Sequence, residues 1–133
     1  MKVLPLGKKL TIAIDIDGTI ADGSKFDFKK VDKNPDELLK VKPIKGAVEA
    51  VRKLYKQGHT IVFHTSRDRS SKKVTKAWLD KYNFPYHHIE MEKFVAHLYL
   101  DDRAIRVDNW KRVMKEIKKP NLPGKIARKK GLV

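Results

Sequence analysis

A chain of 133 residues, 41% hydrophobic and without cysteine, is enough for one domain with a single core, and it excludes disulfide scaffolds, thiolate metal centres and cysteine nucleophiles. Its 31 Lys and Arg against 16 Asp and Glu leave a formal charge of +15, which suits polyanionic partners such as nucleic acid. No run approaches the roughly 20 consecutive apolar residues that span a bilayer, and "MKVLPLGKKL" is charged too early for a secretory signal, so a cytoplasmic protein with no membrane partner is expected.

The first expected strand, "LTIAIDI" at 10–16, is β-branched and apolar, and Asp15 and Asp17 close it just before Gly18. Carboxylates there are unfavourable unless something pairs with them, and residues two apart on a strand point to one side. From Gly23 to Lys45 the chain is polar, with Pro35 and Pro43 as breakers and one helical turn around "PDELL"; the segment reads as a loop insertion or small flap. Val48, Val51, Leu54 and Tyr55 then share one helical face, with Gly58 as the stop. A second strand, "HTIVFHT" at 59–65, ends in Thr65, Ser66 and Arg67. A helix starting near Ser70 or Ser71 places Val74, Trp78 and Tyr82 on one face. A third strand, "HLYLDD" at 97–102, ends in Asp101 and Asp102, and a helix carrying Trp110, Val113, Met114 and Ile117 follows, capped by Asp108 or Asn109. From Lys115 onward seven Lys or Arg stand against Glu116 alone, and Pro120, Pro123 and Gly124 predict an extended basic tail over 119–133.

Alternating strands and helices predict a three-layer α/β/α sandwich with a mainly parallel, Rossmann-like sheet over 1–118. Ligands of such sheets bind at the carboxyl ends of the strands, where Asp15, Asp17, Thr65, Ser66, Arg67, Asp101 and Asp102 all fall. Converging carboxylates repel one another unless a hard cation holds them. Magnesium suits this, because it takes oxygen ligands and is usually held by one or two carboxylates together with substrate phosphate. The histidines show no metal-binding spacing, and His64 is the one placed near this edge.

These residues carry a resemblance. "IAIDIDGTI" resembles the first motif of the haloacid dehalogenase-like phosphohydrolase superfamily, and "IVFHTSR" is similar to its second. Lys93 in "MEKFVAHLYLDD" is similar in position to the lysine of the third motif, and Asp101 and Asp102 to the acids of the fourth. Where the family often has Gly before that lysine and Pro after it, this chain has Glu92 and Phe94, and Lys72, Lys73 or Arg67 are alternative sources of positive charge. The resemblance implies a phosphoric monoester hydrolase. Asp15 would attack phosphorus to give an aspartyl-phosphate, and Asp17 would protonate the leaving oxygen and then activate water. It further implies that Thr65, Ser66, Arg67 and Lys93 hold the phosphoryl group. Mg2+ would be bound by Asp15, the backbone carbonyl of Asp17, and Asp102 or Asp101.

The stretches 20–64 and 68–92 each have room for little more than a helix and a strand, so no substantial cap domain is expected. An open site suits a bulky substrate that itself excludes water. With the charge of +15, this points to polynucleotide 3′-phosphate ends or nucleotides, and "YLDDRAIRVDNWKRV" is similar to a stretch of the 3′-phosphatase domain of phage polynucleotide kinase. Two other readings stand beside it: a capless phosphatase of small sugar or nucleotide phosphates, and a noncatalytic, basic nucleic-acid-binding protein on the same fold.

Overall fold

The computed structural model describes residues 9–24, 26–27, 30–31 and 34–119; the expected tail beyond Lys119 lies outside them. The chain divides into two compact units, Met1–Phe94 and Val95–Val133.

In the first unit, β1 (Thr11–Ile14), β4 (Thr60–His64) and β5 (His88–Glu90) form a parallel sheet in the order β1-β4-β5. The register sets Thr11 opposite Thr60 and Ile14 opposite Phe63, then Val62 opposite His88 and His64 opposite Glu90. Alternation along β4 buries Ile61 and Phe63, so the strand commits one face fully to the core. Two histidines cap strand starts: Leu10 N–H donates to His59 Nδ1 at 3.0 Å and Ile61 N–H to His87 Nδ1 at 3.0 Å.

Helix α1 (Ala47–Lys56) buries Ala47, Ala50, Val51 and Leu54. The expected face is thus rotated: Val48 is half-buried, and Tyr55 is exposed and stacks on the His87 ring at 4.9 Å. The buried set falls at i, i+3, i+4 and i+7, the spacing of a single helical face. Gly58 stops α1 as expected, at φ 93°, a region open to glycine at no steric cost. Asp68 caps a short 3-10 turn, Arg69–Ser71, that leads into α2 (Lys72–Lys81), whose buried face is Val74, Thr75, Trp78 and Leu79.

The long connection after β1 is packed rather than free along much of its length. Strands β2 (Ala21–Asp22) and β3 (Lys42–Pro43) pair antiparallel, and a 3-10 helix, Pro35–Lys40, lies between them in the chain. Trp78 Nε1–H donates to the Val41 carbonyl at 2.8 Å and Lys81 Nζ to that of Leu39 at 3.0 Å, which ties the segment to α2.

The strand expected over 97–102 is absent, the strand expected without bounds within 68–92 is β5, and the two-residue strands β2 and β3 fall where a loop or small flap is expected. Residues 97–102 form no strand, and Leu98 and Leu100 are 73% and 89% exposed. Local side chains take up backbone donors there instead: Ala96 N–H reaches Tyr99 Oη at 3.3 Å and Arg103 N–H reaches Asp101 Oδ1 at 2.8 Å. The third strand is β5, which has only Ile89 as an apolar residue and so gives no periodic signal. In the second unit, α3 (Trp110–Ile117) forms where expected; Asn109 Oδ1 accepts from Arg112 N–H at 2.8 Å, and Trp110 and Val113 are buried. No helix among the described residues is long and apolar enough to cross a membrane.

Candidate active site

The site is built at the carboxyl ends of β1 and β4. Hydrogen-bonded strand ends at Ile14, one residue before Asp15, and the chain then folds tightly around the carbonyl of Ile16. That single oxygen accepts N–H groups from Thr19, Ile20 and Ala21 at 3.1, 2.9 and 3.0 Å. Gly18, at φ 84°, makes the reversal without the penalty a Cβ would bring. Asp15 and Asp17 therefore emerge from a fixed turn and are both half-buried, and Asp15 Oδ1 accepts the Ile16 N–H at 2.9 Å.

Thr65 follows β4 and is buried. Its N–H donates to Glu90 O at 2.9 Å, its carbonyl accepts from Lys93 N–H at 2.8 Å, and its Oγ1 accepts from Arg67 N–H at 3.2 Å. Ser66 is exposed. The loop after β5 is thereby laced to the loop after β4, which delivers Lys93 to the same edge. Glu92, the residue before it, sits at φ 61°. This left-handed conformation costs a non-glycine residue about 1–2 kcal/mol. It is held at both ends, because Glu92 N–H donates to Arg67 O at 2.9 Å and its carboxylate pairs with Arg69 at 3.1 Å. The departure from glycine seen in the sequence is thus a change of residue within a conformation that glycine adopts freely.

Arg67 turns its guanidinium inward. Nε and NH2 donate to the two carboxylate oxygens of Asp17 at 2.9 and 2.7 Å, while NH1 donates to Thr75 Oγ1 at 3.0 Å. The Arg67 side chain is 8% exposed and that of Asp17 36%, so the pair sits at the lip of the site with the cation beneath. Thr75 was not singled out from sequence; its signal is a hydroxyl on the otherwise apolar face of α2.

Burial pulls the His64 imidazole below its ordinary value of 6.5; the Lys93 ammonium pushes the same way, and the Asp15 carboxylate opposes both. His64, Lys93 and Asp15 thus share one electrostatic environment. Because the unfolded chain takes up this proton at a higher pH than the folded one, His64 withdraws stability as pH falls below about 6.5 and withdraws none above it. The His64→Gln protein is expected to show a flatter dependence of melting midpoint on pH between about pH 5 and 8. Curves that superimpose would contradict this account.

Asp101 and Asp102 lie in the second unit, exposed, with Asp102 3.7 Å from Arg103. Among the described residues no three His, Asp or Glu side chains cluster to form a complete metal cage. The donors at the β1 edge are nevertheless hard oxygens. Magnesium commonly takes one or two carboxylates and fills its remaining positions with water and phosphate, so this set fits an ion completed by substrate.

Residues 12–120 match the family model described as the LNS2 domain of PITM 1-3. A Halalkalibacterium halodurans protein carrying a nucleotidase name is 28% identical over 64 residues, covering 48% of this chain and 33% of that protein; the chain thus spans about a third of the length of the curated relative it matches. A structural-genomics target from Vibrio cholerae superimposes with a TM-score of 0.61 at 22% identity, over 83% of this chain and 99% of that one. A chain of the Pnkp1/Rnl/Hen1 complex gives 0.54 at 18% identity, over 87% of this chain and 36% of that one. These two likenesses concern the fold, and they agree with the parallel sheet that carries Asp15 and Thr65 at one edge. With the family match spanning most of its residues, the chain belongs to the LNS2-domain family of PITM 1-3, within the haloacid dehalogenase-like phosphohydrolase superfamily.

Proposed function

We propose that the protein is a magnesium-dependent phosphatase that works through an aspartyl-phosphate, with phosphorylated polynucleotide ends as its substrate class. The observation that carries this reading is the grouping, within one unit, of Asp15, Asp17, Thr65, Arg67 and Lys93 on the turns that follow two adjacent parallel strands and β5. An Asp15 carboxylate oxygen bonds to phosphorus as the ester P–O bond breaks, and Asp17 gives its proton to the departing oxygen. Water then attacks phosphorus, Asp17 takes the water's proton, and the Asp15–phosphorus bond breaks to release inorganic phosphate. For Asp17 to hold that proton, one of its oxygens must be released by Arg67, which an incoming phosphate dianion can draw toward itself. Lys93 and the Thr65 hydroxyl stabilise charge on the transferring group. Mg2+ would be held by Asp15 and the Asp17 carbonyl together with substrate phosphate and water, and would supply charge neutralisation at the phosphoryl oxygens.

The substrate class is supported by charge placement. Lys72, Lys73 and Lys76 are exposed on α2, the helix entered directly from the site loop, and none has an acidic partner among the described residues. The first turn of α2 carries no acid, although helix N-termini favour negative charge. Lys72 and Lys73 in that turn, with Lys76 just after it, are explained by an anion arriving from solvent. The Halalkalibacterium relative's nucleotidase name supports a mononucleotide phosphate as the second reading.

The discriminating experiment compares kcat/KM for a 3′-phosphorylated oligonucleotide with that for a mononucleotide and for p-nitrophenyl phosphate. The oligonucleotide is expected to lead at low salt and lose its advantage as salt rises. Changing Lys72, Lys73 and Lys76 together to Gln is expected to reduce the log–log salt slope by about 2, at roughly 0.7 per phosphate contact on a single strand. A preference for small esters with no salt dependence would leave the polynucleotide assignment without support.

A further inference from the structure

We propose that Thr75 is a positioning residue for Asp17, acting through Arg67. The inference rests on the reading of Asp17 as acid and base, and it concerns what sets the angle of that carboxylate. The Arg67 guanidinium is pinned at three points: Nε and NH2 on Asp17 at 2.9 and 2.7 Å, NH1 on Thr75 Oγ1 at 3.0 Å. Its main chain is fixed as well, with the N–H on Thr65 Oγ1 at 3.2 Å and the carbonyl accepting from Glu92 N–H at 2.9 Å. A guanidinium is planar, so fixing NH1 fixes the plane in which Nε and NH2 present their hydrogens. Asp17, partly exposed, takes its orientation from that plane.

The hydroxyl itself marks the role. Thr75 is 0% exposed, on the helix face it shares with Val74, Trp78 and Leu79. Packing alone would be served as well there by the isosteric valine, which buries no polar oxygen. The oxygen is the acceptor that α2 offers to Arg67 NH1, at 3.0 Å. Without it, the guanidinium could swing about its long side chain, and the carboxylate would lose its fixed angle at the lip of the site.

The test uses the full chain as Thr75→Val, which keeps shape and removes the acceptor, and as Thr75→Ser, which keeps the acceptor and loses the methyl group. With p-nitrophenyl phosphate and magnesium, Thr75→Val is expected to lower kcat about tenfold or more with KM within about twofold, as misplacement of a reacting group does. Thr75→Ser should recover most of that loss. The Arg67 Nε–H resonance is expected to exchange slowly in the unaltered protein, where it donates to Asp17 at 2.9 Å, to lose that protection in Thr75→Val and to regain it in Thr75→Ser. A Thr75→Val protein with unaltered kcat, or a Thr75→Ser protein no faster than Thr75→Val, overturns the proposal, since either result assigns Thr75 to packing alone. Should the unaltered protein hydrolyse no phosphoester, the phosphatase reading fails by itself, and the Arg67 resonance still decides: persistence in Thr75→Val refutes the positioning, and loss with return in Thr75→Ser sustains it.

Discussion

The Asp15→Asn protein is expected to hydrolyse p-nitrophenyl phosphate at least about a thousandfold more slowly than the unaltered protein, the scale on which loss of a nucleophile is felt. The amide has the same shape but lacks the anionic oxygen that would bond to phosphorus. Its Oδ1 can still accept the Ile16 N–H that Asp15 accepts at 2.9 Å, so the turn around Gly18 should survive. The melting midpoint should therefore stay within a few degrees, roughly 1 kcal/mol or less in a domain of this size. Loss of activity with retained stability places Asp15 in the chemistry. Activity within about tenfold of the unaltered protein would remove the covalent intermediate from the mechanism.

The largest effect on stability is expected from Trp78→Ala. Trp78 is fully buried, stacks on Phe84 with ring centres 5.4 Å apart, and donates from Nε1 to the Val41 carbonyl at 2.8 Å. Removing such a side chain costs about 3–5 kcal/mol through lost burial and the cavity left behind. A domain's whole stability is about 5–15 kcal/mol, so the variant should be near the limit of folding at ambient temperature. Trp78→Phe keeps a ring and loses the donor; it should be milder and should chiefly release the 35–43 segment, which Trp78 ties to α2 through Val41. Urea unfolding of both variants provides the measurement. A change below about 1 kcal/mol for Trp78→Ala would mean that this face of α2 is not the core that its burial implies.

Much of this architecture can be read from residue types because the physics concerned is local. Ile61 and Phe63 alternate inward along a β-branched run, Gly58 ends a helix with a positive φ, and Asn109 caps another with its side chain. Where reading by composition failed, the missing information was the partner. "HLYLDD" is richer in apolar residues than "HIE", yet the sheet takes His88–Glu90 and leaves Leu98 and Leu100 exposed. A strand exists through the ladder it joins, and composition does not name its neighbour. The same holds at the site. The Asp-x-Asp-Gly-Thr pattern made Asp15 and Asp17 legible at once, whereas the Arg67–Asp17 fork joins residues 50 apart and Thr75 reads as one more helix residue. The sequence departure at Glu92 was visible beside Lys93, but the left-handed backbone it adopts was not.

The parallel sheet also bears on the order in which the molecule assembles. The hydrogen bond from Ile61 to His87 at the start of the β4–β5 pair closes 26 residues, while that from Leu10 to His59 at the start of the β1–β4 pair closes 49. Each doubling of loop length adds about 0.6 kcal/mol of closure entropy, a small bias that favours β4, α2 and β5 as the earlier partners. The strand that leads into Asp15 and Asp17 docks across the longer loop. During refolding, then, helical signal and burial of Trp78 should precede the capacity to turn over substrate, because the turn that carries Asp15 and Asp17 has nothing to lean on until its neighbour is in place.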